Sequence, residues 1–276
     1  MPAKLIHLTD PHLVAPGGRV HGLDPRARLA ACLDHIAANH ADADLCVISG
    51  DLSDTGQPES YAVLRELLDG FPLPVRLMLG NHDARAAFRA AFPDQPVDPD
   101  GFVQSVADLG PDPDAERLIF LDTLDEGHLH GRLCERRLAW LSARLDEAAD
   151  QSVSLFLHHP PLAARLPHLA PMMLVDTAPL TDLLRRHGWV RHLFLGHLHM
   201  AVSGTMGGIP FTVGRGTCHQ MRPALDDPRA TFVDGTPSYT IALYDGADLI
   251  VHEVEVPGRG PVLRRTPTSQ DRIRRR

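Results

Sequence analysis

Five short apolar runs punctuate the chain, and each stops at side chains of the kind that bind divalent cations. Lys4 to Thr9 ends in Asp10-Pro11-His12, Leu45 to Ser49 in Gly50-Asp51, and Val75 to Leu79 in Gly80-Asn81-His82-Asp83. Ser152 to Leu157 ends in His158-His159-Pro160-Pro161, and Val190 to Leu195 in Gly196-His197-Leu198-His199. Apolar runs this short, bounded by Gly and polar residues, read as buried strands. A buried strand that ends this way delivers a loop at its carboxyl end, where open α/β sheets hold their ligands.

Between the first three runs the pattern switches to helical spacing. A helix is expected from Pro25, with Asp24 as its N-cap, to about Asn39, because Pro suits the first helical turn and Asp accepts from its free N–H groups. A second runs from about Glu59 to Leu68 and a third from Ala84 to Phe92. The resulting β-α-β-α-β-α alternation belongs to a layered α/β protein.

The middle of the chain reads differently. Phe102–Ala107 and Arg117–Leu121 are expected as antiparallel strands around the turn Gly110-Pro111-Asp112-Pro113, and Leu133 to Leu145 has helical spacing. A long loop, Pro160 to Val175, precedes a helix over Ala178–His187. Two hairpins follow: Ala201–Met206 with Ile209–Val213 around Gly207-Gly208, and Tyr239–Tyr244 with Asp248–Val256 around Gly246. From Cys218 to Pro237 no period is visible. With no repeat and no low-complexity linker, the expected organisation is one domain over residues 1–256 and a tail over 257–276.

Charge narrows the partners. The formal net charge of the 276 residues is −8, and the tail from Pro257 carries seven Arg against one Asp, leaving about −14 on the body. So acidic a body argues against capture of a nucleic-acid polymer, which depends on Lys and Arg facing phosphates. The tail, with Arg264, Arg265, Arg272, Arg274, Arg275 and Arg276 among Pro and Thr, reads as a solvated end. Cys32, Cys46, Cys134 and Cys218 form no C-x-x-C pair and read as reduced, mostly buried residues. No run has the unbroken apolar length of a membrane span, and the start shows no secretory pattern. A cytoplasmic protein with no membrane partner is the expectation.

Each polar strand end has an ordinary reading by itself. Asp-x-His is common in surface turns, Gly-Asp after a strand caps many helices, and His158 could be a satisfied core imidazole. Taken together, in this order and all at strand ends, they imply one dinuclear site. Such a site needs about seven protein ligands, one a bridging carboxylate, with cations about 3.5–4 Å apart. Asp10, His12, Asp51, Asn81, His158, His197 and His199 are the candidates. In Asp10-x-His12 and His197-x-His199 the spacing of two either puts both side chains on one face of an extended strand or wraps them round one ion.

In order and spacing these five blocks resemble the calcineurin-like metallophosphoesterase superfamily, and most closely its bacterial class III branch of cyclic-nucleotide and glycerophosphodiester phosphodiesterases. The resemblance runs from Lys4 to about His219. It implies a four-layer α/β/β/α sandwich of two mixed sheets flanked by helices. It also implies that Asp10, His12 and His199 hold one divalent ion and Asn81, His158 and His197 a second, with Asp51 bridging. The metals would be two of Fe, Mn, Zn or Co, since such N/O sites tolerate all of them.

On the same resemblance, a hydroxide on or between the ions attacks phosphorus in line, and the substrate is a small phosphodiester. His82 is expected to stabilise the phosphate or protonate the leaving alkoxide, with Asn81 beside the same group. Asp83 either orients His82 or caps the following helix, and His159 turns away to pack. His219, in Thr217-Cys218-His219-Gln220, either lines the pocket or is a plain loop residue. The loops His21 to Asp24 and His168 to Asp176 are expected to wall the substrate side. A homodimer through the terminal β segment is the expected assembly. The alternatives are a phosphomonoesterase or protein phosphatase of the same superfamily, and a metal-binding scaffold without catalysis.

Overall fold

The computed structural model describes residues 2–110, 115–149, 151–162 and 166–256. The turn expected at Pro111-Asp112-Pro113 and the basic tail 257–276 lie outside them. In chain order the main elements are β1 (Ala3–Leu8), α1 (Pro25–Asn39), β2 (Leu45–Ser49), α2 (Pro58–Leu68), β3 (Val75–Met78) and α3 (Arg85–Ala91). Then come β4 (Ser105–Leu109), β5 (Glu116–Phe120), α4 (Glu135–Glu147), β6 (Val153–Leu157), α5 (Ala178–Arg186) and β7 (Val190–Leu195). The end of the described chain is β8 (Val202–Met206), β9 (Ile209–Val213), β10 (Gln220–Met221), β11 (Phe232–Val233), β12 (Ser238–Asp245) and β13 (Asp248–Glu255).

Two mixed sheets form from these strands, in the orders β13-β12-β1-β2-β3 and β4-β5-β6-β7-β9-β8. β1, β2 and β3 run parallel, as do β5, β6, β7 and β9, so the carboxyl ends of both parallel sets can serve one site. Alternation along each strand decides the layers, because successive side chains point to opposite faces. On one face Ile6, Leu8, Cys46 and Ile48 pack with Leu29, Ile36, Tyr61 and Phe88 from α1, α2 and α3. Leu155, Leu157, Leu193 and Leu195 likewise pack with Leu141, Leu145, Leu180 and Leu183 from α4 and α5. Leu5, Val47, Phe120, Phe156 and Phe194 fill the space between the sheets. The Phe156 and Phe194 rings stack at 4.7 Å, and burying each ring contributes about 2–3 kcal/mol. The four-layer sandwich expected from the sequence is the architecture found.

Helix starts follow the expected chemistry. Pro25 occupies the first turn of α1, and the Asp24 side chain accepts from the Ala27 N–H at 3.0 Å. The expected strand Phe102–Ala107 instead begins at Ser105. Asp98 takes the Phe102 N–H at 2.8 Å and the Gln104 amide at 2.7 Å, and Asp122 takes the Val103 N–H at 2.9 Å. These side chains satisfy the backbone before any sheet neighbour can. The segment from Cys218 to Pro237 contains a short ladder, β10 with β11, that its sequence did not announce.

His7 interrupts the apolar layer between the sheets. It is fully buried with Phe156 and Phe194 edge-on at 5.7 Å, and its Nε2 meets Ser49 Oγ at 2.7 Å. Burial drives its pKa down to about 4, with the Asp10 charge opposing. Above pH 6.5 both folded and unfolded chains hold it neutral. Between pH 6.5 and about 4 the unfolded chain takes a proton that the folded one refuses, so stability falls as pH falls. The slope is about 1.4 kcal/mol per pH unit, for a total of about 3 kcal/mol. His7→Gln keeps a partner for Ser49 without the titration. Denaturant midpoints at pH 7.5 and pH 5 should therefore converge in the variant relative to the wild type. An unchanged difference would mean that His7 does not govern the acid response.

Candidate active site

At the carboxyl ends of β1, β2, β3, β6 and β7 the chain leaves each strand by an abrupt turn. Asp10, His12, Asp51, His197 and His199 have φ of 55°, 45°, 48°, 72° and 53°, in the left-handed region. Such conformations cost non-glycine residues of order 1–3 kcal/mol each and persist only where the surroundings impose them. They also settle the spacing question: Asp10-x-His12 and His197-x-His199 are not extended but curl around a common point. The turns interlock, with Asp10 N–H donating to the Gly50 carbonyl at 3.1 Å and His12 N–H to the Asp51 carbonyl at 2.9 Å. Gly80 must be glycine here, since a Cβ would lie 2.2 Å from Asp51 Oδ1 and 2.5 Å from the Asp51 nitrogen.

Hydrogen bonding assigns the imidazole tautomers. His158 Nδ1 meets the Ser49 carbonyl at 2.8 Å and His199 Nδ1 the His219 carbonyl at 3.1 Å. A carbonyl only accepts, so both Nδ1 atoms carry the proton and each neutral Nε2 presents a lone pair. His12 Nδ1 faces Asp54 Oδ1 at 3.0 Å, with the same consequence. These lone pairs point at one another and at carboxylates. His12 Nε2 is 3.2 Å from His199 Nε2 and 3.6 Å from Asp51 Oδ2. His199 Nε2 is 3.5 Å from Asp10 Oδ1, and His158 Nε2 is 3.2 Å from Asp51 Oδ2.

Each carboxylate commits one oxygen to the protein and turns the other inward. Asp10 Oδ2 accepts from Thr9 Oγ1 and the His197 N–H, and Asp51 Oδ1 accepts from the His82 N–H at 2.8 Å. Asp10 Oδ1, Asn81 Oδ1, His158 Nε2 and His197 Nε2 are buried with no hydrogen-bond partner among the described residues. Acceptors brought together in this way repel unless a cation or a proton lies between them. The separations match donors around a cation with bonds of about 2.0–2.2 Å. The residues present therefore fit a divalent metal site, and an acceptor on the far ring nitrogen, as His12, His158 and His199 have, is the usual companion of metal-ligating His. With protons alone, burial pulls the His158 pKa down but the Asp51 carboxylate overrides it and holds it up at about 9. His197, next to it, is pushed down to about 3, first by burial and then by the His158 charge.

Asp83 departs from both expected roles. It is buried; among the described residues its carboxylate makes no hydrogen bond to the His82 ring, nor does it cap α3, whose N-cap is Ala84. Its oxygens accept from the N–H groups of Leu52, Ser53 and Gly80 at 3.1, 3.0 and 2.9 Å and from the Tyr61 hydroxyl at 3.0 Å. A residue placed after β3 thus ties down the loop after β2. Burial and then the Asp51 charge push its pKa up to about 6, against the three backbone donors. His82 is oriented from elsewhere, its Nδ1 meeting the Asp54 carbonyl at 2.7 Å. His159 is buried with Nδ1 on Thr123 Oγ1, yet it does not turn away: one of its ring nitrogens lies within 4.8 Å of ligand atoms on His158 and His197.

Above this cluster opens a cavity of about 270 Å³. His12, Asp51, Asn81, His82, His197 and His199 form its floor, and Leu129, Leu169, Met172, Met221 and Phe232 its walls. His219 also lines it, stacked on His199 at 4.2 Å, and His21 stacks on Phe232 at 4.2 Å. Both expected wall loops contribute, through His21 and through Leu169 and Met172. Asp54, Phe232 and Met221 were not anticipated. Asp54 follows Asp51 closely enough to have been suspected, whereas β10 and β11 left no trace in the pattern.

A family model described as calcineurin-like phosphoesterase matches residues 3–201. A probable cyclic nucleotide phosphodiesterase of Rhodopseudomonas palustris is 37% identical over 265 residues, covering 94% of each chain. The glycerophosphodiester phosphodiesterase GpdQ of Enterobacter lignolyticus is 30% identical, over 85% of this chain and 84% of that protein. Among solved structures, a dimetal phosphatase from Danio rerio superposes with a TM-score of 0.68 at 16% identity, covering 93% of this chain and 98% of that one, and carries the likeness of fold.

The Asp83 contacts generate a prediction. Asp83→Ala strips the acceptor from three buried backbone donors and the Tyr61 hydroxyl, and each unsatisfied donor costs about 1–3 kcal/mol. Chemical denaturation should show a loss of at least about 3 kcal/mol, with weaker divalent-ion binding as the Asp51 loop loosens. Unaltered stability and metal affinity together would show that the staple is dispensable.

Proposed function

The chain belongs to the calcineurin-like phosphoesterase family, and from that premise we propose that it is a metal-dependent phosphodiesterase whose substrates are small phosphodiesters, cyclic nucleotides foremost. The observation that carries the reading is the position of Asp51 Oδ2, 3.2 Å from His158 Nε2 and 3.6 Å from His12 Nε2, between two sets of ligand atoms. Asp10, His12 and His199 would hold one divalent ion on one side of it, and Asn81, His158 and His197 a second on the other. Iron, manganese, zinc or cobalt suits the mixed N/O donors. Such ions supply Lewis-acid neutralisation of phosphoryl charge and a nucleophile at neutral pH.

The chain's own residues do the rest. His82 lines the cavity with Nδ1 donating to the Asp54 carbonyl. As an imidazolium it has its remaining proton, on Nε2, to give, either to a phosphoryl oxygen or to the leaving alkoxide. His12, oriented by Asp54, and His199, oriented by the His219 carbonyl, keep their lone pairs inward. The apolar walls exclude water and offer a face to a planar base. Phe232 and His21, already stacked, extend that face, which favours a nucleotide over a glycerol ester. Among the described residues no Arg or Lys lines the cavity, so there the second negative charge of a phosphomonoester meets no fixed cation. That is the ground for preferring a diesterase to the phosphomonoesterase alternative. The four free cysteines suit a reducing cytoplasm.

The purified enzyme should turn over bis-p-nitrophenyl phosphate faster than p-nitrophenyl phosphate; preference for the monoester would sink the diesterase reading. Asp51→Ala is expected to lose bound metal and activity together. His82→Ala should retain metal while its rate drops by roughly two to four orders of magnitude, the scale of general acid–base catalysis; unimpaired turnover would remove His82 from the mechanism. Phe232→Ala should raise KM for 3′,5′-cyclic AMP severalfold, with little change for bis(methyl) phosphate diesters that lack a base. Equal effects on both would argue against stacking on this wall.

A further inference from the structure

Beside the cavity mouth, the loop between β5 and α4 carries a second set of metal-ligating side chains. His130 Nε2 stands 3.2 Å and His128 Nδ1 3.7 Å from one oxygen, Asp125 Oδ2. Ligand atoms of all three residues lie within 4.8 Å of one another. Donors at about 2.0–2.2 Å from a tetrahedral ion sit roughly 3.2–3.6 Å apart, and the separations from Asp125 Oδ2, 3.2 and 3.7 Å, lie close to that range.

Local chain geometry builds this arrangement. Gly127 takes the left-handed conformation, φ 85°, and the His128 N–H returns to the Asp125 carbonyl at 3.0 Å, folding the imidazole back over the carboxylate. The two rings, two residues apart, lie 4.7 Å centre to centre with a 36° tilt, on the same side of the loop. The side chains of Asp125 and His130 are about a quarter exposed and that of His128 about half, which leaves room for water to complete a coordination shell. Arg132 Nε shares Asp125 Oδ2 at 3.2 Å, but its guanidinium is neutralised on the other side by Asp176. Asp125 Oδ1 makes no hydrogen bond among the described residues and remains available to an ion.

We infer that Asp125, His128 and His130 form a third cation site, separate from the catalytic cluster, for a borderline divalent ion such as Zn²⁺ or Ni²⁺. Two imidazoles and one carboxylate select ions of intermediate softness over Mg²⁺ or Ca²⁺. The position gives the site a consequence. Leu129, between the two histidines, is half exposed and lines the cavity wall. Gly131, just beyond, bridges to both Leu124 and Leu174. An ion held by the flanking residues stiffens the loop that carries that wall residue.

The test uses the full chain without an affinity tag, saturated with Zn²⁺, freed of loose metal on a chelating column and counted by mass spectrometry. The wild type should retain one more equivalent than His128→Gln/His130→Gln, with matching circular dichroism spectra. Asp125→Asn should weaken binding of that additional ion roughly tenfold or more, since even outer-shell changes cost that much. The single variant His128→Gln, at the most exposed position, serves if the double variant misfolds and should lose the same equivalent. Equal counts in wild type and variants overturn the site, as does unaltered affinity in Asp125→Asn. Because the readout is a difference between proteins, it is independent of how many ions the catalytic cluster holds.

Discussion

Acceptor atoms forced against one another are the constraint on which the rest of this molecule depends. Lone pairs from His12, His158 and His199 and oxygens from Asp10 and Asp51 meet in a buried seam between two sheets. No element would choose this alone. Each buried unpartnered acceptor costs about 1–3 kcal/mol, and each left-handed turn at Asp10, His12, Asp51, His197 and His199 adds strain of similar size. The cost is sustained because the two parallel strand sets are rigid and packed on both faces. Leu5, Val47, Phe156 and Phe194 lock one sheet to the other, so the strand ends have little freedom to separate. A site assembled from one sheet alone could relax; one assembled from two cannot without unpacking the middle layer.

The connection between core and site is covalently short. Ser49, the last residue of β2, gives its hydroxyl to His7 in the middle layer and its carbonyl to His158 in the cluster. Thr9, the residue after β1, donates its hydroxyl to Asp10 and accepts with its carbonyl from Thr217 N–H and Oγ1. The end of β2 thus orients His158 from another strand, and the end of β1 holds the Asp10 that follows it. Such doubly used positions explain why the polar residues nearest the site are buried rather than solvated.

What the sequence disclosed follows from the same physics. Strands buried on both faces must be apolar along their length, so they stand out as runs, and ligands must follow them directly. That is why Asp10, His12, Asp51, Asn81, His158, His197 and His199 are readable as one group in the sequence alone. Asp83 was misread because its partners, the backbone of Leu52 and Ser53, lie thirty residues away in a different loop. A carboxylate that serves main-chain donors leaves no mark in the identity of its partners. Phe232 and Met221 were missed for another reason: β10 and β11 are two residues each, too short for a period, and their placement is decided by tertiary contact. Arg28 shows the same dependence, reaching from α1 to Asp234 and the carbonyls of Thr217 and Gly235.

Floor and walls of the cavity thus obey different rules. The floor is over-determined, with left-handed backbone, acceptors that fix the His12, His158 and His199 rings, and glycines such as Gly80 that no side chain can replace. The walls come from loops, Leu129 from one, Leu169 and Met172 from a second, and Met221 and Phe232 from a third, which also holds His199 through the His219 carbonyl. Chemistry fixed by the sheets and recognition carried by the loops is the arrangement that lets one fold serve several esters. Asp54 stands where the two meet. Its side chain holds His12 Nδ1 and its carbonyl holds His82 Nδ1, so the candidate ligand and the proposed proton donor are positioned by the same residue. A phosphate bound on the floor would consequently meet His82 in the orientation Asp54 sets, whichever group the walls accept.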